Sequence, residues 1–196
     1  MANQQTLIEQ VYMLAGLNSA ELSKVTAAHQ RVNYKRGDIL LRQGQVADEY
    51  AIIESGLIRS YVHDFNGNDI TTSFFGENDI VIEVSSLFQR IPSQEVIQAV
   101  TDCVCWKIQF DRFQELYHSL PGLSEWGRAW MAMQLFHFKQ RSVSNFTMSA
   151  MERYLQLLTE KPGILQQAPL KQIATYLGVT DSSLSRIRKT VSVKQA

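Results

Sequence analysis

The run from Pro169 to Lys189 limits the possible folds of this chain more than any other segment. Ile173, Ala174 and Leu177 recur at helical spacing, and Gly178 follows them, where helices commonly end in a left-handed residue. Thr180 carries a hydroxyl placed to cap a second helix. On that second helix Leu184 and Ile187 share one face, while Asp181, Ser182, Ser185, Arg186 and Lys189 fall on the other. Two short helices joined by a tight turn in this pattern predict a helix-turn-helix, whose second helix, about Asp181 to Lys189, lies in a DNA major groove. The plainer alternative is a helical hairpin with a solvated outer face.

The charge distribution points the same way. Formal net charge is zero. Residues 147–196, however, carry seven basic and three acidic side chains, against twelve and sixteen in the rest of the chain. A basic C-terminal end on an acidic body suits DNA binding at one end only. At 196 residues and 45 % hydrophobic, the chain can bury one large core and one small one. It has no uninterrupted apolar run of about 18 residues, so no membrane span is expected. The N-terminus shows no basic segment followed by an apolar one, and a cytoplasmic location is the default expectation.

Between the termini the periodicity changes twice. Asn18 precedes Glu21 at capping-box spacing and opens a helix to about His29. From Val32 to Phe110 short alternating runs follow: Asp38–Leu41, Tyr50–Ile53, Leu57–Val62, Asp69–Phe75, Glu95–Val100 and Cys103–Ile108. Gly37, Gly44, Gly56 and the Asn66-Gly67 pair separate them, and Asn-Gly is a strong hairpin signal. Such spacing predicts an antiparallel sandwich, jelly roll or barrel. Cys103 and Cys105 fall on one face of a strand, which favours buried thiols over a disulfide or a metal site. Pro121 opens a long helix to about Asn145, apolar nearly all round through Trp126, Trp130, Met131, Met133, Leu135, Phe136 and Phe138. Such a helix is buried on more than one side: against the β-domain, and against a second copy of itself. Ser142–Asn145 reads as a hinge. Ser149 and Glu152 form a second capping box, with Tyr154, Leu155 and Leu158 facing inward.

A β-domain, a long helix and a C-terminal helix-turn-helix, in this order, resemble the Crp/Fnr family of bacterial transcription regulators over roughly residues 15–190. The glycine pattern of Tyr34–Asp38, Gln43-Gly44 and Tyr50–Gly56 is similar to that of cyclic-nucleotide-binding domains, and Ser149–Tyr154 with Leu170–Lys189 is similar to the family's DNA-binding module. The resemblance implies an α+β fold. Residues 1–120 would form a jelly-roll-like antiparallel β-roll with flanking helices. Residues 121–146 would form a dimerisation helix and hinge, and residues 147–196 an all-α helix-turn-helix domain. After Lys189 little chain remains for a β-wing, and Leu165–Ala168 is weakly β-like, so the wing is expected to be reduced or absent.

By the same resemblance Asp181, Ser182 and Arg186 read bases, Arg186 pairing bidentately with guanine. Lys171, Thr180, Ser183, Arg188 and Lys189 contact phosphates. The implied partners are double-stranded DNA, a second copy of the chain, and also RNA polymerase and a small-molecule effector; no membrane and no enzyme activity are implied. The effector pocket is placed at Ile82, Glu83, Val84, Ser93, Gln94 and Phe138.

The chain departs from the family at the phosphate-binding cassette, a Gly-Glu pair followed by an Arg-Ser pair. Glu83 is present, but Ile82 stands where glycine is expected and Ser93 where the arginine is expected; Arg90 is the cation nearest by. Without the cation and the open backbone, most phosphate affinity is lost, since each charge-assisted bond contributes about 1.5–3 kcal/mol. No cofactor is therefore expected, and cyclic AMP is disfavoured. A second reading is a ligand-sensing or protein-interaction module that does not bind DNA specifically. A metal-dependent cupin is more distant, because His29, His63, His118 and His137 are scattered.

Overall fold

The computed structural model describes residues 2–195, with side chains described for 7–192. Helix α1 (Ala2–Val11) and a 3-10 turn (Met13–Ala15) lead to α2 (Ser19–Ala28). The Asn18 side chain accepts from the amides of Ala20 and Glu21 at 3.0 Å, and Glu21 returns a bond to the Asn18 amide at 2.9 Å. The expected capping box thus opens α2.

Of the eight strands among the described residues, six follow the expected runs closely: β2 (Ile39–Leu41), β3 (Glu49–Ser55), β4 (Ile58–His63), β5 (Asp69–Phe75), β7 (Val96–Ala99) and β8 (Cys103–Gln109); β1 (Gln30–Tyr34) and β6 (Ile80–Val81) complete the set. They pair antiparallel in two four-stranded sheets, ordered β1-β8-β3-β6 and β2-β7-β4-β5. The β4–β5 loop carries the Asn66-Gly67 pair. There the Asp64 carboxylate accepts from the Asn66 and Asn68 amides at 2.8 Å. Gly56, between β3 and β4, has φ +100°, and a Cβ there would lie 2.5 Å from the Asp102 carbonyl. Cys103 and Cys105 are free and buried on β8, as their alternation implied, and burial pushes the Cys105 thiol up to about 12.

Three elements had no usable sequence signal. α1 lacks a clear stripe and is held by tertiary contacts: Tyr12, just after it, bonds the Tyr50 hydroxyl at 2.5 Å, and the Trp126 indole donates to the Val11 carbonyl at 2.9 Å. β6 and α3 (Val84–Gln89) are too short for periodicity to register.

Helix α4 (Phe110–Ser119) leads into α5 (Pro121–Thr147). The hinge expected at Ser142–Asn145 is helical instead. The Met148 amide still donates to the Ser144 carbonyl at 3.0 Å, and the chain leaves helical geometry only at Met148. The Ser149–Glu152 capping box then starts α6 (Ala150–Glu160). On α6 Tyr154 and Leu157 are buried and Leu158 is half-buried, but Leu155, expected inward, is 39 % exposed. A period of 3.6 carries Leu155 past the edge of the buried stripe. Lys161-Pro162-Gly163 ends α6, and proline in the first turn immediately begins α7 (Pro162–Gln167), so no strand follows Gln109 among the described residues. Helices α8 (Leu170–Tyr176) and α9 (Asp181–Gln195) complete the chain. No helix among the described residues is long and apolar enough to cross a membrane.

The buried residues form one large cluster and one smaller one, and the smaller is shared between the two ends of the chain. One cluster fills the β-roll and reaches Leu123 and Trp126 of α5. The other joins Leu57, Phe74 and Val100 of the β-roll to Tyr154, Leu157, Ile164, Ile173, Leu177 and Leu184. The last four helices are too small to bury their apolar faces alone, so they complete their core against the β3–β4 turn, β5 and the β7–β8 turn.

Candidate functional site

The expected turn joins α8 to α9. Gly178 has φ +67°, and the Val179 amide donates to the Ala174 carbonyl at 3.0 Å. Thr180 caps α9, its hydroxyl oxygen accepting from the Ser183 amide at 3.3 Å. Leu184 is fully buried (0 % exposed) and Ile187 half-buried, which fixes the rotation of α9. Asp181, Ser182, Arg186, Arg188 and Lys189 therefore face outward and are exposed, as are Thr180 and, on α8, Lys171; Ser183 is half-buried beside Thr180. Among the described residues none of Lys171, Arg186, Arg188 and Lys189 takes part in an ion pair. Helix α9 also runs past the expected end at Lys189 to Gln195.

The expected effector residues are less well assembled. A cavity of about 240 Å³ opens between the sheets, lined by Tyr34, Leu40, Gln45, Ala47, Ile97 and the cassette residues Ile82 and Glu83. Val84, Ser93, Gln94 and Phe138 do not line it. Phe138 is 72 % exposed on α5. It sits twelve residues beyond Trp126, about 18 Å along the axis. Ser93 is buried, but its hydroxyl donates to the Glu95 carbonyl at 2.8 Å and accepts from the Glu95 amide at 3.1 Å. The Glu83 carboxylate caps α3, accepting from the Ser86 amide and the Ser85 hydroxyl. The Ser86 hydroxyl in turn accepts from the Ala47 amide at 2.8 Å and donates to the Ile91 carbonyl at 2.7 Å. Arg90 does not enter the cavity: it donates to the Ala47 carbonyl at 2.6 Å, pairs with Asp48, and lies over the Phe110 ring at 5.0 Å. Glu83, Ser86, Ser93 and Arg90 thus already have partners within the chain.

Two cations that the sequence did not single out organise the rest. Arg59 on β4 is 4 % exposed and is held by Asp69 at 2.7 Å, by Gln98 at 2.9 Å and over the Tyr61 ring at 4.0 Å. Arg141 on α5 meets both halves of the molecule. Its guanidinium donates to the Thr72 carbonyl on β5 and, at 3.3 Å, to the Tyr176 carbonyl on α8, and lies 4.0 Å over the Tyr176 ring. Beside it the Thr71 amide donates to the Thr175 hydroxyl at 3.2 Å, and Lys161 pairs with Asp79 at 3.1 Å. β5 is a sheet edge, and α8 with Arg141 satisfies backbone groups that an edge leaves open. Neither arginine lies in a motif, and their partners are remote in sequence.

Known proteins resemble this arrangement. Residues 31–119 match the family model of the cyclic nucleotide-binding domain. The cAMP-dependent protein kinase regulatory subunit of Blastocladiella emersonii is 34 % identical over 121 residues, 62 % of this chain and 30 % of that protein. The chain spans less than a third of the length of the curated relatives it matches. Among solved structures, FixK2 from Bradyrhizobium japonicum superposes with a TM-score of 0.75 at 16 % identity, covering 85 % of this chain and 86 % of FixK2. CLP, a c-di-GMP responsive global regulator from Xanthomonas campestris, gives 0.69 at 17 % identity, covering 91 % and 93 %. The structural likenesses establish a shared fold. Residues 31–119 are therefore similar to cyclic nucleotide-binding domains, and over most of its length the chain shares the fold of solved transcription regulators, one of them described as of the Crp/Fnr family.

Proposed function

We propose that this chain is a dimeric, sequence-specific DNA-binding transcription regulator that does not respond to cyclic AMP. The observation that carries the reading is the outer face of α9. It presents Arg186, Arg188 and Lys189 exposed and without ion-pair partners among the described residues, on a helix whose rotation buried Leu184 fixes. Arg186, with Asp181 and Ser182, would reach base edges, and Lys171, Thr180, Ser183, Arg188 and Lys189 would hold phosphates. Dimerisation is supported by Met131, Leu135 and Phe138. They are 39 %, 68 % and 72 % exposed on α5 and follow the four-three spacing of a two-stranded seam. Two copies would set two reading helices about 34 Å apart on a near-palindrome. The self-capped Glu83, the turned-away Ser93 and the side chain of Ile82 support loss of cyclic-phosphate affinity.

The test is selection from a randomised DNA pool at two salt concentrations, with and without cyclic AMP. A palindrome should be enriched without nucleotide. Lys171, Arg188 and Lys189 from two copies neutralise about six phosphates, which corresponds to a log–log salt slope of about −5. Arg186→Ala should cost about 1–3 kcal/mol and relax one base position. Enrichment only with cyclic AMP contradicts the nucleotide part of the reading, and no enrichment under any condition contradicts DNA recognition itself.

A further inference from the structure

A second cavity, larger than the cassette cavity and on the other side of Ile82, has about 360 Å³ of space. It lies between α4, the first half of α5 and the corner where β6 meets α3. Tyr50, Ile82, Phe88, Phe113, Trp126 and Trp130 make most of its wall. The two indoles stack at 6.3 Å with 22° between their planes, and Phe113 meets Tyr50 edge-on at 5.2 Å. Such a box of ring faces suits another flat ring. Gly127 sets the depth of one wall: a Cβ there would lie 2.8 Å from Tyr117 Cε2, so its absence lets the Tyr117 ring close onto α5.

Polar groups at this cavity differ from those in the cassette. Gln114 and Tyr117 line it, and neither side chain makes a hydrogen bond to another described residue. Arg128 at the rim is already paired with Glu125. The cavity therefore offers aromatic faces, one amide and one phenol, and no unpaired charge. It lies on the α5 face turned toward α4 and the β-roll and reaches the first residue of the exposed seam, Met131, whereas Leu135 and Phe138 of that seam come later along the helix and do not line it. Its volume falls in the range of small-molecule sites, which are mostly apolar with a few placed polar groups.

We propose that this cavity is a second ligand site, which takes a small flat aromatic molecule bearing a hydroxyl or carbonyl for Gln114 and Tyr117. Ile82 and Tyr50 line both cavities. The isoleucine that lines the cassette cavity thus also forms part of the wall of the apolar site. The bound ring would rest against Trp126 and Trp130 on the helix that continues to Arg141.

The experiment titrates the full-length chain with 1-anilinonaphthalene-8-sulfonate, following probe emission and quenching of tryptophan emission, and needs no DNA. Saturable binding of one probe per chain is expected, undisturbed by excess cyclic AMP. Ile82→Trp should fill the site and weaken binding at least tenfold, and Phe88→Ala, at a residue 41 % exposed, should weaken it severalfold by removing one ring wall. Circular dichroism melting confirms that each variant is folded. Unsaturable binding, displacement by cyclic AMP, or equal binding by both folded variants overturns the proposal, whatever the DNA selection shows.

Discussion

In the cassette the Glu83 carboxylate and the hydroxyls of Ser86 and Ser93 all bond within the chain, whereas on α9 Arg186, Arg188 and Lys189 have no ion-pair partner among the described residues. Both regions sit on family-like scaffolds, and both contain residues that a sequence pattern would mark as binding groups. The difference lies in where their polar capacity is spent. A donor or acceptor already satisfied inside the fold gains little from a ligand, because binding only exchanges one bond for another. An exposed, unpaired cation gains from a phosphate and releases counterions as well. Partnering within the fold thus distinguishes a retained shape from a site ready to bind a charged group.

The largest expected effect tests how independent the two regions are. Leu184→Ala removes a side chain with no exposure from the cluster shared with Leu57, Phe74 and Val100. A loss of about 2–5 kcal/mol is expected, in one cooperative transition seen by both near-UV and far-UV circular dichroism. Separate melting of the C-terminal helices would mean that the shared cluster does not couple the halves.

Reopening the cassette attacks the comparison from the other side. The pair Ile82→Gly and Ser93→Arg restores an open backbone and a cation, and each new charge-assisted bond should be worth about 1.5–3 kcal/mol. Calorimetric titration should then detect cyclic AMP binding tighter than any shown by the unaltered chain. No gain would place the block at the Glu83 cap instead.

Acid should weaken the fold through His29 in the β-roll core. His29 is buried, and that burial lowers its pKa from 6.5 to about 4, against a smaller opposing effect of its hydrogen bond to the Val25 carbonyl. The unfolded chain therefore binds more protons between these values, and stability falls as pH drops through that window. By pH 5 the loss is about 2 kcal/mol. Urea unfolding at pH 7 and pH 5 measures it, and His29→Leu should flatten the dependence.

The smallest effect concerns the contact between the regions. Arg141→Ala should cost about 1 kcal/mol of stability while speeding hydrogen exchange at the Thr71 amide, whose acceptor is the Thr175 hydroxyl on α8. Unchanged exchange would show that Arg141 does not hold α8 to β5.

Local chemistry was legible from the residues alone. Asn18 with Glu21 and Ser149 with Glu152 form their capping boxes, the turn at Gly178 and the cap at Thr180 form as their residue types require, and the alternation around Cys103 and Cys105 buries both. Each depends on partners within about five positions or on simple periodicity. The sequence also showed that Ile82 and Ser93 depart from a phosphate cassette, but not that Glu83 would turn to cap α3 or that Arg90 would be drawn to Asp48.

Ser142–Asn145 resembles a hinge because small polar residues favour turns, yet continuing backbone bonds keep it helical to Thr147. Helix α1 escapes notice because its stability comes from Tyr50 and Trp126, far away in the chain. What the sequence determined by itself was therefore most of the elements, the caps of α2, α6 and α9, and the outward face of α9. Only the tertiary structure decided which polar groups remain free, how Arg59 and Arg141 are held, and that the C-terminal helices share a core with the β-roll. These outcomes depend on contacts between residues distant in sequence, which no local pattern encodes.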